Sequence, residues 1–271
     1  MGERGEIRTG VGGWTFPPWR GAFYPGDLPQ RRELEYMSAR LGAIEINSTY
    51  YGSQRPETFR KWAAETPDGF VFSVKGSRFC TNRKVLAEAG ESIERFFAQG
   101  LLELGDKLGP VLWQFANTKK FDPVDFAAFL DLLPGMLEGR AIRHCVEVRH
   151  DSFRDPAFAA LLRQRAIPVV YADHASYPAF ADVTGDFVYA RLQTGSDGVA
   201  TAYAEPELKT WAARLIAWAE GGRPADLPCA DPDDVPTVRP REVFAFIIHE
   251  GKVRAPAGAM ALGRMCGGGA R

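Results

Sequence analysis

The sequence contains few cysteines, and they are scattered. The four are Cys80, Cys145, Cys229 and Cys266, and no two of them form a CxxC pair. This spacing argues against a zinc ribbon and against a small scaffold held together by disulfides. We therefore expect reduced thiols.

An excess of either charge is also missing, because 33 Lys and Arg residues stand against 34 Asp and Glu residues. A near-neutral chain has no overall attraction to nucleic acid or to a membrane surface. The opening residues contain no apolar signal segment, and no apolar run approaches the ~20 residues that a membrane span needs. We expect a cytoplasmic protein with no membrane partner.

No local catalytic motif is present, since the chain has no GxSxG elbow, Walker loop or HExxH. What it has instead is a regular alternation of short strands and helices. Strands are predicted to begin near residues 7, 43, 70, 110, 142, 168, 187 and 242, and most are followed by a helix. Asp155 and Pro156, for example, are predicted to cap and begin a helix.

This alternation predicts an α/β fold, an irregular (β/α)8 TIM-type barrel with seven or eight parallel strands. The weakest point follows Asp173, where no helical sequence precedes the next strand. A doubly wound open sheet is the alternative, but Gly10-Val11-Gly12-Gly13 is not followed by a helix, as a dinucleotide fingerprint requires. We expect one domain over residues 1–271, with an exposed loop insertion at about residues 221–241.

Several predicted strands carry charged residues where a buried strand should be apolar. Side chains two apart on a strand share a face, so Glu147 and Arg149 point the same way. Glu45 with Asn47 repeats the pattern on another strand. Two opposite charges on an inner strand face seldom stabilise a fold, because the free energy needed to desolvate them offsets most of the free energy that their attraction contributes. The repetition favours a polar pocket over an isolated structural ion pair.

The chain also resembles a known family, on ordered motifs that span nearly its whole length. They are G-W-x-x-x-x-W-x-G-x-F-Y-P (13–25), E-I-N-x-x-Y-Y (45–51), F-x-F-x-V-K (70–75), L-G-P-x-L-x-Q-F (108–115), E-x-R-H-x-S-F (147–153), Y-A-R (189–191) and A-P-x-x-A-x-x-L (255–262). Together they resemble the family called domain of unknown function 72, the YecE-like proteins. The resemblance implies an irregular TIM-type barrel and no established reaction. The chain departs from it after the last strand, where many members have F-x-N-N and this chain has Ile247-Ile248-His249.

In a TIM-type barrel the active site lies at the C-terminal ends of the strands. The residues expected there fall into a catalytic group and a substrate-binding group. The predicted catalytic residues are Glu147, Asp173, Glu45 and Lys75. The predicted substrate-binding residues are Arg149, Arg191, Asn47, Gln114, Tyr50, Trp14, Trp19 and Arg20.

These residues support more than one chemistry. Arg149, Arg191 and Lys75 suit a phosphate or a carboxylate, while two carboxyls, one raised in pKa by burial, suit acid–base catalysis. Arg149 also has a structural interpretation, as a salt-bridge partner of Glu147 or of a neighbouring strand, and Lys75 has one as a partner of Glu45. A Schiff base formed by Lys75 is a further interpretation.

A cofactor is not defined by the sequence. A divalent metal held by Glu45, Glu147, Asp173 and His249 is compatible with it, although no local metal motif exists. The aromatic loop from Trp14 to Tyr24 is interpreted either as a lid packed over the barrel end or as a stacking platform for a sugar or a nucleobase.

Two functions follow from these residues. The first is an enzyme acting on a phosphorylated, sugar-like or nucleic-acid phosphodiester substrate. The second is a non-catalytic module that binds nucleic acid or a nucleotide, against which the near-neutral charge counts. The sequence defines neither the substrate nor the oligomeric state.

Overall fold

Eight parallel strands form the centre of the computed structural model, which describes residues 4–267. In chain order they are β1 Ile7–Gly12, β2 Ala43–Ile46, β3 Val71–Lys75, β4 Leu108–Gln114, β5 His144–Glu147, β6 Val170–Asp173, β7 Phe187–Thr194 and β8 Glu242–Glu250. A short antiparallel ribbon pairs Met136–Leu137 with Arg140–Ala141.

The strands form a nearly closed barrel. Their order is β5-β4-β3-β2-β1-β8-β7-β6, and the neighbouring strands of this sheet pair in parallel. The two end strands meet through a parallel bridge between Val146 and Val169, where the Val146 amide donates to the Pro168 carbonyl at 3.0 Å. The predicted irregular TIM-type barrel is confirmed.

Helices surround this sheet. They are α1 Glu33–Ser38, α2 Ser48–Tyr51, α3 Pro56–Ala64, α4 Arg78–Thr81, α5 Gly90–Phe97, α6 Pro123–Asp131, α7 Pro156–Gln164, α8 Glu205–Ala219 and α9 Ala255–Met265. The predicted cap is present, because the Asp155 carboxylate accepts from the Ala157 amide at 2.9 Å and Pro156 begins α7. No helix in the described part of the chain is long and apolar enough to cross a membrane.

Two elements near the barrel ends are short. Helix α5 ends at Phe97, and Gly100, whose φ of 100° lies in the left-handed region that glycine tolerates, precedes a separate 3-10 segment over Leu101–Lys107. Strand β2 ends at Ile46, because Ser48–Tyr51 turns into α2.

Two segments lack both helix and strand. Residues 174–186 connect β6 directly to β7, which is the weak point seen in the sequence. Residues 221–241 also form an irregular loop, but part of it is anchored, since the Asp182 carboxylate accepts from the amides of Ala230 and Asp231. The expected insertion therefore packs in part against the first segment.

The barrel interior is divided into an apolar and a polar zone. Toward the N-terminal ends of the strands it is filled by apolar side chains such as Val71, Leu112, Phe187 and Phe244. Toward the C-terminal ends, charged and amide side chains replace them. The opposite faces of the same strands pack against the helices in a separate apolar cluster.

Candidate functional site

A buried ionic network lies in the barrel interior at the C-terminal ends of β2, β5 and β7. Its members are Glu45 and Glu147, both 0% exposed, and Arg191, 5% exposed. The Arg191 guanidinium donates to both oxygens of Glu45, from Nε and from Nη2, each at 3.0 Å. Its remaining Nη1 donates to Glu147 Oε2. One arginine therefore joins carboxylates from two distant strands.

Neutral side chains complete the coordination of Glu45. The Tyr189 hydroxyl donates to Glu45 Oε2 at 2.8 Å, and Asn47 Nδ2 donates to Glu45 Oε1 at 3.0 Å. The Tyr189 hydroxyl also lies 2.8 Å from Ser73 Oγ. Such complete hydrogen bonding allows a charge to stay buried at tolerable cost.

Glu147 is bound just as fully, on the side nearer the solvent. Its Oε1 accepts from Arg149 Nε at 2.6 Å and from Gln114 Nε2 at 2.9 Å. Arg149 comes just after the end of β5, and its side chain is 19% exposed. The shared face of Glu147 and Arg149 that the strand period predicts is thus seen as a direct ion pair.

The network fixes both carboxylates in the ionised form. Burial raises the pKa of Glu147, but Arg191, Arg149 and Lys75 outweigh it and lower the pKa to about 2. For Glu45 burial again raises the pKa, and Arg191 and Lys75 lower it further than burial raises it. In the pairing of Glu147 with Glu45, neither carboxyl has a raised pKa, because the cations outweigh burial.

Lys75 is the exception among the cations. It is 6% exposed, and its ammonium makes no hydrogen bond or ion pair with any residue that the structure describes. Its Nζ instead lies 4.3 Å from the centre of the Tyr50 ring. Burial and the charge of Arg191 lower the pKa of Lys75 to about 8. This side chain is the ionisable group of the network that titrates nearest to neutral pH.

Gln193 is a second side chain without a partner. It follows Arg191 by two positions, so it points the same way, one layer closer to the mouth of the barrel. It is 2% exposed, and its Nε2 has no hydrogen-bond partner in the described structure. A buried polar group left unpaired costs about 1–3 kcal/mol. Sequence reasoning omitted Gln193 from the site, although its alternation with Tyr189 and Arg191 was a usable signal.

A stack of rings covers the side of the mouth next to Arg149. The Arg149 guanidinium lies 4.5 Å from the centre of the Tyr177 ring. Tyr177 in turn stacks on His174 at 3.9 Å, and His174 contacts the edge of His249 at 5.6 Å. His249 has a φ of 72°, a left-handed conformation in which Asn and His are enriched. This backbone shape is one that histidine tolerates, at the position where the resemblance implies asparagine.

Asp173 does not join this site. Val170 faces the barrel interior, whereas Tyr171 packs against Trp211 and Trp218 of α8, so Asp173 shares the outer face of β6. Its Oδ2 accepts from Thr194 Oγ1 at 2.5 Å, and burial raises its pKa. The predicted position of Asp173 at the mouth is wrong, because β6 turns the opposite face inward.

The aromatic loop is also placed elsewhere. Trp19 is 1% exposed and donates from Nε1 to the Lys252 carbonyl at 2.7 Å, and Trp14 packs edge-on against Trp62 at 5.0 Å. Arg20 pairs with the buried Glu33 at 2.9 Å. The rings of Trp14 and Trp19 thus pack within the protein, and these two residues do not support the interpretation of the loop as a stacking platform.

The ligand set considered for a divalent metal is not brought together. No group of three or more His, Cys, Asp and Glu side chains in the described residues is arranged to hold a metal ion. Glu45 and Glu147 are occupied by Arg191, Asp173 faces α8, and the side chain of His249 is 56% exposed beside Glu250. These residues do not fit a metal centre, because the donor atoms of Glu45 and Glu147 are already hydrogen-bonded to cations and Asp173 lies on the outer face of its strand.

The fold and the site define a class of protein: a parallel α/β barrel of TIM type with a charged, buried network at the C-terminal ends of its strands. The family described as "Protein of unknown function DUF72" matches residues 8–270. The chain belongs to this family.

Named relatives agree with this assignment. The chain is 26% identical over 184 residues to UPF0759 protein YecE of Escherichia coli, covering 64% of this chain and 62% of the length of that relative. Its structure is similar to that of a DUF72 family protein of Thermotoga maritima, with a TM-score of 0.73, 22% identity and coverage of 96% and 98% of the two chains. A DUF72 family protein of Enterococcus faecalis gives a TM-score of 0.70 at 16% identity, covering 98% of this chain and 99% of that one. At these identities, the structural likeness shows the fold.

Proposed function

We propose that this protein is an enzyme acting on a small phosphorylated or sugar-like substrate, whose anionic group binds at the barrel mouth between Lys75 and Arg149. The observation that carries the proposal is the Lys75 side chain, which is 6% exposed and has a lowered pKa but no hydrogen bond or ion pair with the described residues. A lysine that gives up hydration without gaining an ion pair destabilises the fold. Such residues cluster at functional sites.

The charge of the network supports an anionic ligand. Glu45 and Glu147 stand against Arg191, Arg149 and a protonated Lys75, which leaves one net positive charge in a buried setting. A bound phosphate or carboxylate would neutralise it. Arg149 is suited to this contact because it keeps donors free after its Nε has bound Glu147.

The proton chemistry is assigned to Lys75 instead of the carboxylates. A carboxylate with a pKa of about 2 is a weak base, and it holds no proton to donate near neutral pH. With a pKa of about 8, roughly a tenth of Lys75 is neutral at pH 7, so it can take up and return a proton. Glu45 and Glu147 then act as positioning residues that hold Arg191 and Arg149 in place.

The test measures Lys75 directly. The pH dependence of its acetylation, followed by peptide mass spectrometry, reports its pKa with and without inorganic phosphate. We expect phosphate to raise this pKa, and Arg149→Gln to remove the effect. Arg154→Gln, at an exposed arginine that pairs with Asp151, is the matched control. An unchanged acetylation profile in phosphate would contradict the binding site.

Turnover is tested on a panel of phosphate monoesters, phosphodiesters and sugar phosphates, with and without divalent metals. We expect Lys75→Met to reduce kcat by 10²- to 10⁴-fold, the range typical of general acid–base groups. Turnover that survives Lys75→Met unchanged would remove the lysine from the chemistry.

A second candidate function is supported by exposed aromatic rings beside the mouth. Tyr51, after β2, is 66% exposed, and Phe79, after β3, is 61% exposed with the Arg78 guanidinium 5.3 Å from its ring centre. Such rings stack on unpaired bases. Binding of single-stranded oligonucleotides that weakens with salt and on Phe79→Ala, but survives Lys75→Met, would favour a non-catalytic nucleic-acid or nucleotide module.

A further inference from the structure

Gln193 has the features of a ligand-binding side chain that the network leaves unused. The amide is 2% exposed, and its Nε2 finds no acceptor among the residues described. It lies on β7, four strands around the barrel from β3, which carries Lys75. Gln193 therefore faces the proposed anion site from the opposite side of the mouth.

The charge nearest to Gln193 along its own strand is that of Arg191, which is already paired with Glu45 and Glu147. The register shifts between Ile247 and Glu250, so Gln193 lies opposite Ile248, an apolar side chain of the barrel interior, and His249. On the next strand Gly12 lets two side chains approach closely, because a Cβ there would lie 3.1 Å from Ile248 Cγ2 and 3.0 Å from Asn47 Nδ2. The mouth thus has one half with the cations Lys75 and Arg149, and another half of amides and an apolar side chain in which the nearest cation, Arg191, is already paired.

We propose that Gln193 is a specificity-determining residue, whose Nε2 donates to a neutral hydroxyl or carbonyl oxygen of the substrate. This inference rests on the proposed function and narrows its substrate class. The substrate carries an anionic group at one end and an uncharged oxygen at the other, as a sugar phosphate or a hydroxy acid does. An amide donor suits such an oxygen, whereas a second anion would be buried without a free countercharge, because Arg191 is already paired with two carboxylates.

Calorimetric titration with inorganic phosphate, glycerol phosphate and ribose phosphate tests this division of the mouth. In the wild type we expect at least one sugar phosphate to bind about tenfold or more tightly than inorganic phosphate. Gln193→Leu should remove that advantage and leave the affinity for inorganic phosphate unchanged, because Lys75 and Arg149 are intact. A site built to hydrogen-bond an oxygen discriminates through this contact. Thr194→Val, at the exposed next position on the opposite face of β7, is the control and should keep the advantage.

A stability measurement separates this role from a structural one. Because Nε2 has no partner in the free protein, Gln193→Leu should unfold at the same temperature as the wild type or at a higher one. A large fall in unfolding temperature, with equal loss of affinity for all three probes, would make Gln193 a structural residue and overturn the inference.

Two other outcomes also overturn it. Either Gln193→Leu retains the full preference for a sugar phosphate, or the wild type binds all three probes equally well. Both leave the anion site at Lys75 and Arg149 standing. If the wild type binds none of the probes, the proposed function itself has failed, and the assignment of Gln193 fails with it.

Discussion

Replacing Lys75 by Met is expected to stabilise the protein at neutral pH, although it removes a charge from a network of ion pairs. Lys75 is 6% exposed, and burial with the Arg191 charge lowers its pKa from 10.5 to about 8. At roughly 1.4 kcal/mol per pKa unit, the protonated side chain destabilises the folded state by about 3 kcal/mol. Met fills a similar volume without the ammonium.

Part of this gain is lost again. The contact of Lys75 with the Tyr50 ring contributes about 0.5–1 kcal/mol, whereas its attraction to Glu45 and Glu147 is already contained in its pKa. We therefore expect a net increase of about 2 kcal/mol in the free energy of unfolding at pH 7, measured by urea denaturation followed through tryptophan fluorescence.

The pH dependence gives the prediction its sharpest form. Between about pH 8 and the unfolded pKa near 10.4, the unfolded chain binds a proton that the folded Lys75 has lost. Wild-type stability therefore gains a favourable contribution as pH rises through this window, and the advantage of the Met variant shrinks there. The cost of Lys75 is fully present below about pH 8.

Lys107→Met is the matched control. The Lys107 ammonium donates to the Ala63 carbonyl at 2.6 Å, so its loss should destabilise the protein. If Lys75→Met is less stable than the wild type at pH 7, or if its gain is equal at pH 7 and above pH 10, Lys75 is a structural residue and our reasoning fails.

Three further predictions concern the carboxylates and the aromatic loop. Glu147→Gln should lower the free energy of unfolding by about 3–5 kcal/mol, because Arg149 and Arg191 lose a buried counterion; urea denaturation that shows no loss would contradict this. Wild-type stability should fall as pH drops from about 4.5 to about 2, where the lowered pKa of Glu147 is crossed, and the Gln variant should show a flatter acid limb in the same titration. Arg20→Ala should lower the unfolding temperature, because Glu33, with a side chain 2% exposed, loses its cation. The affinity of this variant for inorganic phosphate should not change. If calorimetry shows weaker phosphate binding, Arg20 belongs to the substrate-binding site after all.

The two-residue period of a strand predicted the position of some site residues and failed for others. Glu147 and Arg149 were identifiable because a two-residue period places them on one face of a strand. Side chains placed in this way are close enough to form the ion pair seen at 2.6 Å. Asp173 was misplaced because β6 is buried on both faces. Where Val170, Tyr171 and Ala172 are all buried, apolar alternation does not reveal which face is inner.

By itself, the sequence determined the alternation of strands and helices, the barrel it builds, the family, and the presence of charged residues on inner strand faces. These depend on local periodicity, on caps such as Asp155, and on motifs read along the chain. Only the tertiary structure decided that Arg191 joins Glu45 and Glu147, and that Lys75 and Gln193 remain without partners. Pairing depends on distances between strands that are 44 to 146 positions apart in the chain, and burial sets the pKa of each group through all its neighbours at once.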